Sequence, residues 1–217
     1  MKKIKRYVNT AIGRRIGART LRTFIAAKTD DQIKGIYGDF HDDLDLGRLT
    51  IQTPHKESGV IRGELVYFLG RLAGSLQSML LPGEPRAAKE GFSALARLDM
   101  GRVTTAGLHD DADHRWNFEE DPPGALAAGR YDCIVSQAIL EHLIDPYKHL
   151  RDCAGLLAPG GHLLVHTVMP GFIYHRHPVD CMRFYPDWFE EVGKRLGLAV
   201  ADKAMGDGHI VYLYRKP

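Results

Sequence analysis

An α/β sheet with helical crossovers is the fold class that this sequence predicts, and three observations carry it. Apolar runs of strand length, among them YDCIVSQAI (131–139) and HLLVHTVM (162–169), alternate with segments whose apolar residues recur at helical spacing. Turn residues punctuate the pattern: Pro159-Gly160-Gly161 stops one helical segment, and Gly197 sits just past the end of another. Two strand-like runs, LAVADKAM and HIVYLYRK, close the chain as a pair.

The elements follow in order. Residues 1–58 form a basic helical and loop extension, ending in the Gly- and Asp-rich IKGIYGDFHDDLDLG and its sequel. The α/β domain occupies 59–217 and opens with an amphipathic helix, GVIRGELVYFLGRLAGSLQ (59–77). LQSMLL (76–81) is a short strand and RAAKEGFSALARLD (86–99) a helix. RVTTAGL (102–108) is β-branched and strand-like, and HRWNFEED (114–121) reads as another short strand. After YDCIVSQAI, the segment LEHLIDPYKHLRDCAGLL places Leu143, Tyr147, Leu150, Cys153, Ala154 and Leu157 at helical spacing. HLLVHTVM returns as a strand, and YPDWFEEVGKRLG is a helix with Pro186 early in it.

Composition bounds the function. A chain of 217 residues, 44% apolar and 26% charged, fits one soluble domain with an appendage. A net charge of +2 argues against nucleic-acid binding by bulk charge. Charge is nevertheless uneven: residues 1–28 hold nine Lys/Arg and no acid, whereas 110–121 hold six acids and one Arg. No apolar run approaches the roughly 18 residues of a membrane span, and the basic start lacks the apolar stretch of a secretory signal. Three scattered cysteines, Cys133, Cys153 and Cys181, form no CxxC pair and fit a reducing, cytoplasmic compartment. The basic residues 1–28, interleaved with Ile4, Tyr7, Val8, Ile12, Ile16 and Phe24, admit several roles. They suit an anionic membrane surface, a protein partner, a lid, or a helix packed on its own domain.

The motifs between 131 and 168 carry a specific signal. Tyr131-Asp132 opens a strand; Leu140-Glu141-His142, Asp145-Pro146 and Pro159-Gly160-Gly161 follow in order. In order and spacing this run resembles the second half of class I S-adenosylmethionine (SAM)-dependent methyltransferases, in particular their type-11 branch. The resemblance implies a Rossmann-like sheet flanked by helices, with SAM as cofactor. The later HRHPVDCMRFYPDWFEEV (175–192) is similar to a segment of family members that act on glycans or lipid-linked sugars.

Counting back from Asp132 places the family's glycine-rich cofactor loop at Leu81-Pro82-Gly83-Glu84-Pro85-Arg86. The loop is degenerate: it holds one glycine, and its two prolines cannot donate backbone hydrogen bonds. By the same resemblance an acid after the next strand holds ribose, which falls near Gly107 with Asp110 and Asp111 following, and Asn117 or a neighbour meets the adenine. The implied cofactor set is thus Leu81, Gly83, Asp110, Asn117 and Ser136.

Histidines supply the candidate chemistry. His142 follows Glu141 at the mouth of a strand, where an imidazole can take a proton from a hydroxyl nucleophile or merely cap the following helix. His175, His177 and Asp180 form H-x-H-x-x-D in a post-strand segment, with Arg183 placed to grip a carboxylate or phosphate. That segment suits an acceptor site, with His142 or His175 as base and His177, Asp180 and Arg183 as orienting groups. It equally suits a polar loop fastened by an Asp-Arg pair, and its spacing, with His166 near, also matches metal ligands. HDDADHRW (109–116) reads as a solvated acidic loop rather than a metal cluster, and Cys133 as core. No metal site is assigned.

Two functions are consistent with these readings. One is SAM-dependent methyl transfer to a hydroxyl or carboxylate of a glycan, lipid-linked sugar or small metabolite. The other is a non-catalytic methyltransferase-like protein that has lost SAM binding and serves as a partner or scaffold subunit.

Overall fold

The computed structural model describes residues 63–127, 130–170, 172, 174–176, 178–206 and 208–217. The extension 1–58, with its basic stretch, and His177 lie outside the described residues. Helix α1 (Gly63–Leu72) leads into strand β1 (Met79–Pro82), and a 3-10 turn (Arg86–Ala88) continues as α2 (Lys89–Ala96). Strands β2 (Val103–Gly107), β3 (His114–Arg115) and β4 (Tyr131–Gln137) follow, then a 3-10 turn at Leu140–His142 and helix α3 (Pro146–Leu156). Strand β5 (Leu157–Val168), helix α4 (Pro186–Leu196) and strands β6 (Ala199–Gly206) and β7 (His209–Arg215) complete the chain.

The strands form one sheet in the order β3-β2-β1-β4-β5-β7-β6. The first five run parallel, and β7 lies antiparallel between β5 and β6. Helices cover both faces, and the alternation of side chains sorts the core into two clusters. Leu80, Ile134, Leu163, Val165 and Tyr212 face α3 and α4, packing with Leu150, Phe189 and Val192. Their sequence neighbours Met79, Leu81, Cys133, Val135, Leu164 and Val211 face α1 and α2, packing with Phe68, Leu69 and Phe92. A strand covered on both faces favours apolar residues at successive positions, which is why Cys133–Val135 in β4 and Leu163–Val165 in β5 read as continuous runs.

The α/β architecture expected from the sequence is therefore present, with local differences: the first helix ends at Leu72 rather than Gln77, and three others follow. The helix of the LEHLIDPYKHL segment begins at Pro146, not Leu140, because Asp145 caps it by accepting from the Lys148 amide at 2.9 Å and Pro146 occupies the first turn. Pro159-Gly160-Gly161 lies inside β5, where Gly160 takes a φ of +77°, so the helix ends earlier, at Leu156. The strand at 114–121 stops after Arg115, since Asn117 turns the chain by accepting the Glu119 amide on its side chain at 3.2 Å and the Glu120 amide on its carbonyl at 2.9 Å.

Candidate functional site

Strand order reverses between β1 and β4: the chain leaves β1 toward β2 on one side and later returns to lay β4 on the other. In open α/β sheets the loops diverge at such a point and leave a crevice beyond the carboxyl ends of the strands. A cavity of about 540 Å³ lies here, walled by Gly83 after β1, Leu108 and His109 after β2, Asn117–Glu119, Ala138, Ile139 and His142–Ile144 after β4, and Pro178–Val179.

Gly83 is the residue whose backbone this geometry requires. Its φ is +79°, and a Cβ there would lie 2.9 Å from Ile139 Cδ1. Gly107 packs on it in turn, its virtual Cβ 3.4 Å from the Gly83 backbone. Gly107 thus lets the Gly83 backbone pack closely on β2, and Gly83 in turn sits tight against Ile139 at the cavity wall. The loop supplies few donors. Among residues 82–86 only Gly83, Glu84 and Arg86 carry an amide hydrogen, and that of Gly83 is spent on the Ala106 carbonyl at 2.7 Å. On the facing wall Ala138 holds a φ of +51°, a left-handed conformation that costs a non-glycine residue about 1 kcal/mol or more.

The nominated cofactor residues fall in different places. Gly83 and Asn117 line the cavity. Leu81 is fully buried under α1 and α2, and Ser136 is buried with its hydroxyl 3.0 Å from His149 Nε2. Asp110 is exposed in the turn after β2, outside the lining. The acid that works in this loop is Asp113, which accepts from the Thr105 amide at 2.9 Å and pairs with Arg86 at 3.1 Å and with Lys89. Partial burial tends to raise its pKa, yet the Lys89 and Thr105 contacts hold it below the usual carboxylate value. Asp113 thereby ties the β2–β3 turn to the start of α2.

Beneath the cavity floor His149 is buried against Trp116 and Phe118, at ring-centroid distances of 5.7 and 4.7 Å. Burial, aided by the charge of Lys148, lowers its pKa to about 3, so the ring is neutral and structural. Cys133 is likewise inert, burial pushing its thiol to about 12.

At the other end of the cavity the polar groups converge. Glu141 is fully buried; its Oε2 accepts from the Thr167 hydroxyl at 2.6 Å, while Oε1 lies 3.9 Å from both His142 Nε2 and His175 Nε2. The His142 ring lines the cavity and donates through Nδ1 to the Val179 carbonyl. His175 packs edge-on to it at 5.0 Å, and its backbone amide donates to Asp180 Oδ2 at 2.7 Å. Asp180 also receives both guanidinium nitrogens of Arg183, a fork that holds its carboxyl below the usual range. The Glu141 carbonyl accepts the Cys181 and Met182 amides at 2.7 and 3.2 Å, which fastens the 178–184 segment over the end of β4. His142, His175, Asp180 and Arg183 are thus one assembly, whereas His166 pairs instead with His209 at 3.0 Å. Sequence reasoning gave no role to Glu141, whose partner Thr167 lies 26 residues away on β5.

Five parallel strands, a reversed β7 and a cavity at the β1/β4 switch define a class I methyltransferase fold. The chain belongs to the SAM-dependent methyltransferases: the family described as "Methyltransferase domain" matches residues 83–198, more than half its length. It is 28% identical over 151 residues to the ubiquinone biosynthesis O-methyltransferase of Acinetobacter baylyi, covering 66% of this chain and 58% of that protein. It is 34% identical over 87 residues to the protein so named from Vibrio parahaemolyticus, covering 37% of each. In fold it matches a SAM dependent methyltransferase from Aquifex aeolicus with a TM-score of 0.53 at 12% identity, covering 80% of this chain and 100% of the other. The chain spans between 29% and 59% of the length of the curated relatives that it matches first. The residues present fit the family's cofactor, since Gly83 lines the cavity at a positive φ and leaves beside Ile139 the space that a side chain would fill.

Proposed function

We propose that the chain transfers a methyl group from SAM to an oxygen of a small-molecule acceptor, a hydroxyl or carboxylate on a metabolite, glycan or lipid-linked sugar. The observation that supports it most is the cavity at the strand switch, floored by a glycine held at positive φ against Ile139 and ending at His142 and its Glu141–His175 neighbours. SAM supplies a sulfonium methyl, whose C–S bond breaks with its electron pair on sulfur as the C–O bond forms. The protein's part is proximity and proton removal. His142 or His175 takes the acceptor proton, Asp180 and Arg183 fix His175, and His177 joins the acceptor contacts. The named O-methyltransferase relatives support oxygen as the accepting atom. Leu108, Ile144 and Val179, exposed around the cavity, suit an acceptor with an apolar portion.

A second reading rests on the donor-poor loop at 82–86: a methyltransferase-like subunit that no longer holds SAM and serves a partner. Calorimetric titration with SAM and S-adenosylhomocysteine separates the two. Saturable heat is expected, and none at millimolar ligand would sink the catalytic reading. No helix among the described residues is long and apolar enough to cross a membrane. The basic residues 1–28 suit contact with an anionic bilayer, and co-sedimentation with vesicles that depends on anionic lipid is the corresponding test.

A further inference from the structure

We infer that Glu141, His142 and His175 form a binding site for one divalent transition-metal ion, of the zinc or cobalt kind. Among the described residues they are the one group of three or more such side chains whose ligand atoms converge, all within 4.8 Å of one another. Bonds of about 2.0–2.2 Å around a single ion set neighbouring ligand atoms roughly 3–3.5 Å apart. The 3.9 Å separations from Glu141 Oε1 to the two Nε2 atoms are too long for hydrogen bonds, and small side-chain rotations bring them to ligand spacing.

The carboxylate supplies an independent argument. Glu141 is fully buried, and its Oε1 has no hydrogen-bond partner although Oε2 is satisfied by Thr167. A buried carboxylate oxygen aimed between two imidazoles and bonded to neither calls for a cation.

The surroundings of the imidazoles match. Ligating histidines characteristically hold their other ring nitrogen against a carbonyl or carboxylate. His142 Nδ1 donates to the Val179 carbonyl, which leaves the Nε2 lone pair toward Glu141. His175 Nδ1 lies 3.6 Å from Asp180 Oδ2, a carboxylate itself locked by Arg183. Two imidazoles and one carboxylate favour first-row transition ions over magnesium or calcium, which prefer oxygen ligands. Three protein ligands leave coordination positions open, as in catalytic sites, and His142 places them at the cavity wall.

The use of this ion rests on the O-methylation reading. A hydroxyl acceptor held at an open position is acidified: its O–H bond breaks, the proton passes to water, and the electron pair stays on oxygen for attack. The imidazoles then act as ligands in place of a side-chain base.

The test is direct binding by the full chain, stripped with chelator and titrated with Zn²⁺ by calorimetry and with Co²⁺ by visible absorption. One ion per chain, with a Co²⁺ d–d band, is expected. His175→Ala and Glu141→Gln should each weaken binding at least tenfold, and Asp180→Asn about tenfold. Circular dichroism verifies folding, and the half-buried His175 keeps the test informative if Glu141→Gln misfolds. Absence of the band, undiminished binding in His175→Ala, or equal binding of Mg²⁺ overturns the inference. The titration needs no SAM: metal binding without SAM binding sinks only the catalytic reading, and SAM binding without metal binding sinks only this site.

Discussion

The two ends of the cavity are built by different means. At the β1 end the protein contributes shape: a cavity-lining glycine packed on a second, a donor-poor loop and a buried neutral histidine. At the β4–β5 end it contributes charge, with a buried carboxylate, two imidazoles and a forked Asp-Arg pair tied to one another across three chain segments. The difference teaches that recognition by shape and chemistry by side chains are separable here, so mutations at one end should spare the function of the other.

The largest expected effect is at the charged end. His175→Ala should lower turnover about 10²–10⁴-fold with SAM affinity within a few-fold of the parent; a parallel loss of SAM affinity, read by calorimetry, would break the separation. At the other end Gly83→Val should weaken SAM at least tenfold and destabilise the fold by about 1–3 kcal/mol, because it combines a positive φ with a clash on Ile139. Unchanged SAM affinity in that variant would show that the floor is not where the cofactor lies.

Next comes pH. His149 has a pKa near 6.5 unfolded and about 3 folded, so below pH 6.5 the unfolded chain binds a proton that the folded chain refuses. Stability is therefore fully present above pH 6.5 and falls as pH drops toward 3, by about 1 kcal/mol per unit. Urea midpoints measured from pH 7 to 4.5 should decline, and His149→Gln should flatten the slope; an unaltered slope would remove His149 as its source. The Asp180–Arg183 pair adds acid sensitivity of the same sign only at lower pH, since a carboxyl held below its usual value loses its stabilisation as pH falls through that lowered pKa. Smallest is Asp145→Ala, expected to cost about 1 kcal/mol through loss of the α3 cap, with both binding functions intact.

Much of the architecture was legible because it is local. A strand buried on both faces advertises itself as an apolar run, and Pro186 and Gly197 bracket α4 as helix termini prefer. The position of Gly83 was legible only through the downstream motifs, since MLLPGEPR alone is an ordinary turn. Nearness to β2 points to Asp110, but the turn carries it outward, and Asp113, three residues later, is the acid that reaches back to Thr105. The family resemblance implies a cofactor contact for Ser136, while the fold gives its hydroxyl a partner 13 residues on. The same holds for Glu141. Nothing in a Leu-Glu-His triplet says that Thr167 will stand beside it or that 178–184 will fold back across it, because those contacts exist only once the sheet is assembled.

That assembly has an order imposed on it. Strand β7, which follows β1 to β6 in the chain, is an interior strand: His209–Arg215 pairs with His162–Val168 of β5 on one side and with β6 on the other. Until it emerges, β5 presents an unpaired, strongly apolar edge, of the kind that seeks other chains. The growing polypeptide is thus most prone to aggregation after β5 is made and before β7 follows it, and its rescue depends on prompt delivery of the short segment His209–Arg215.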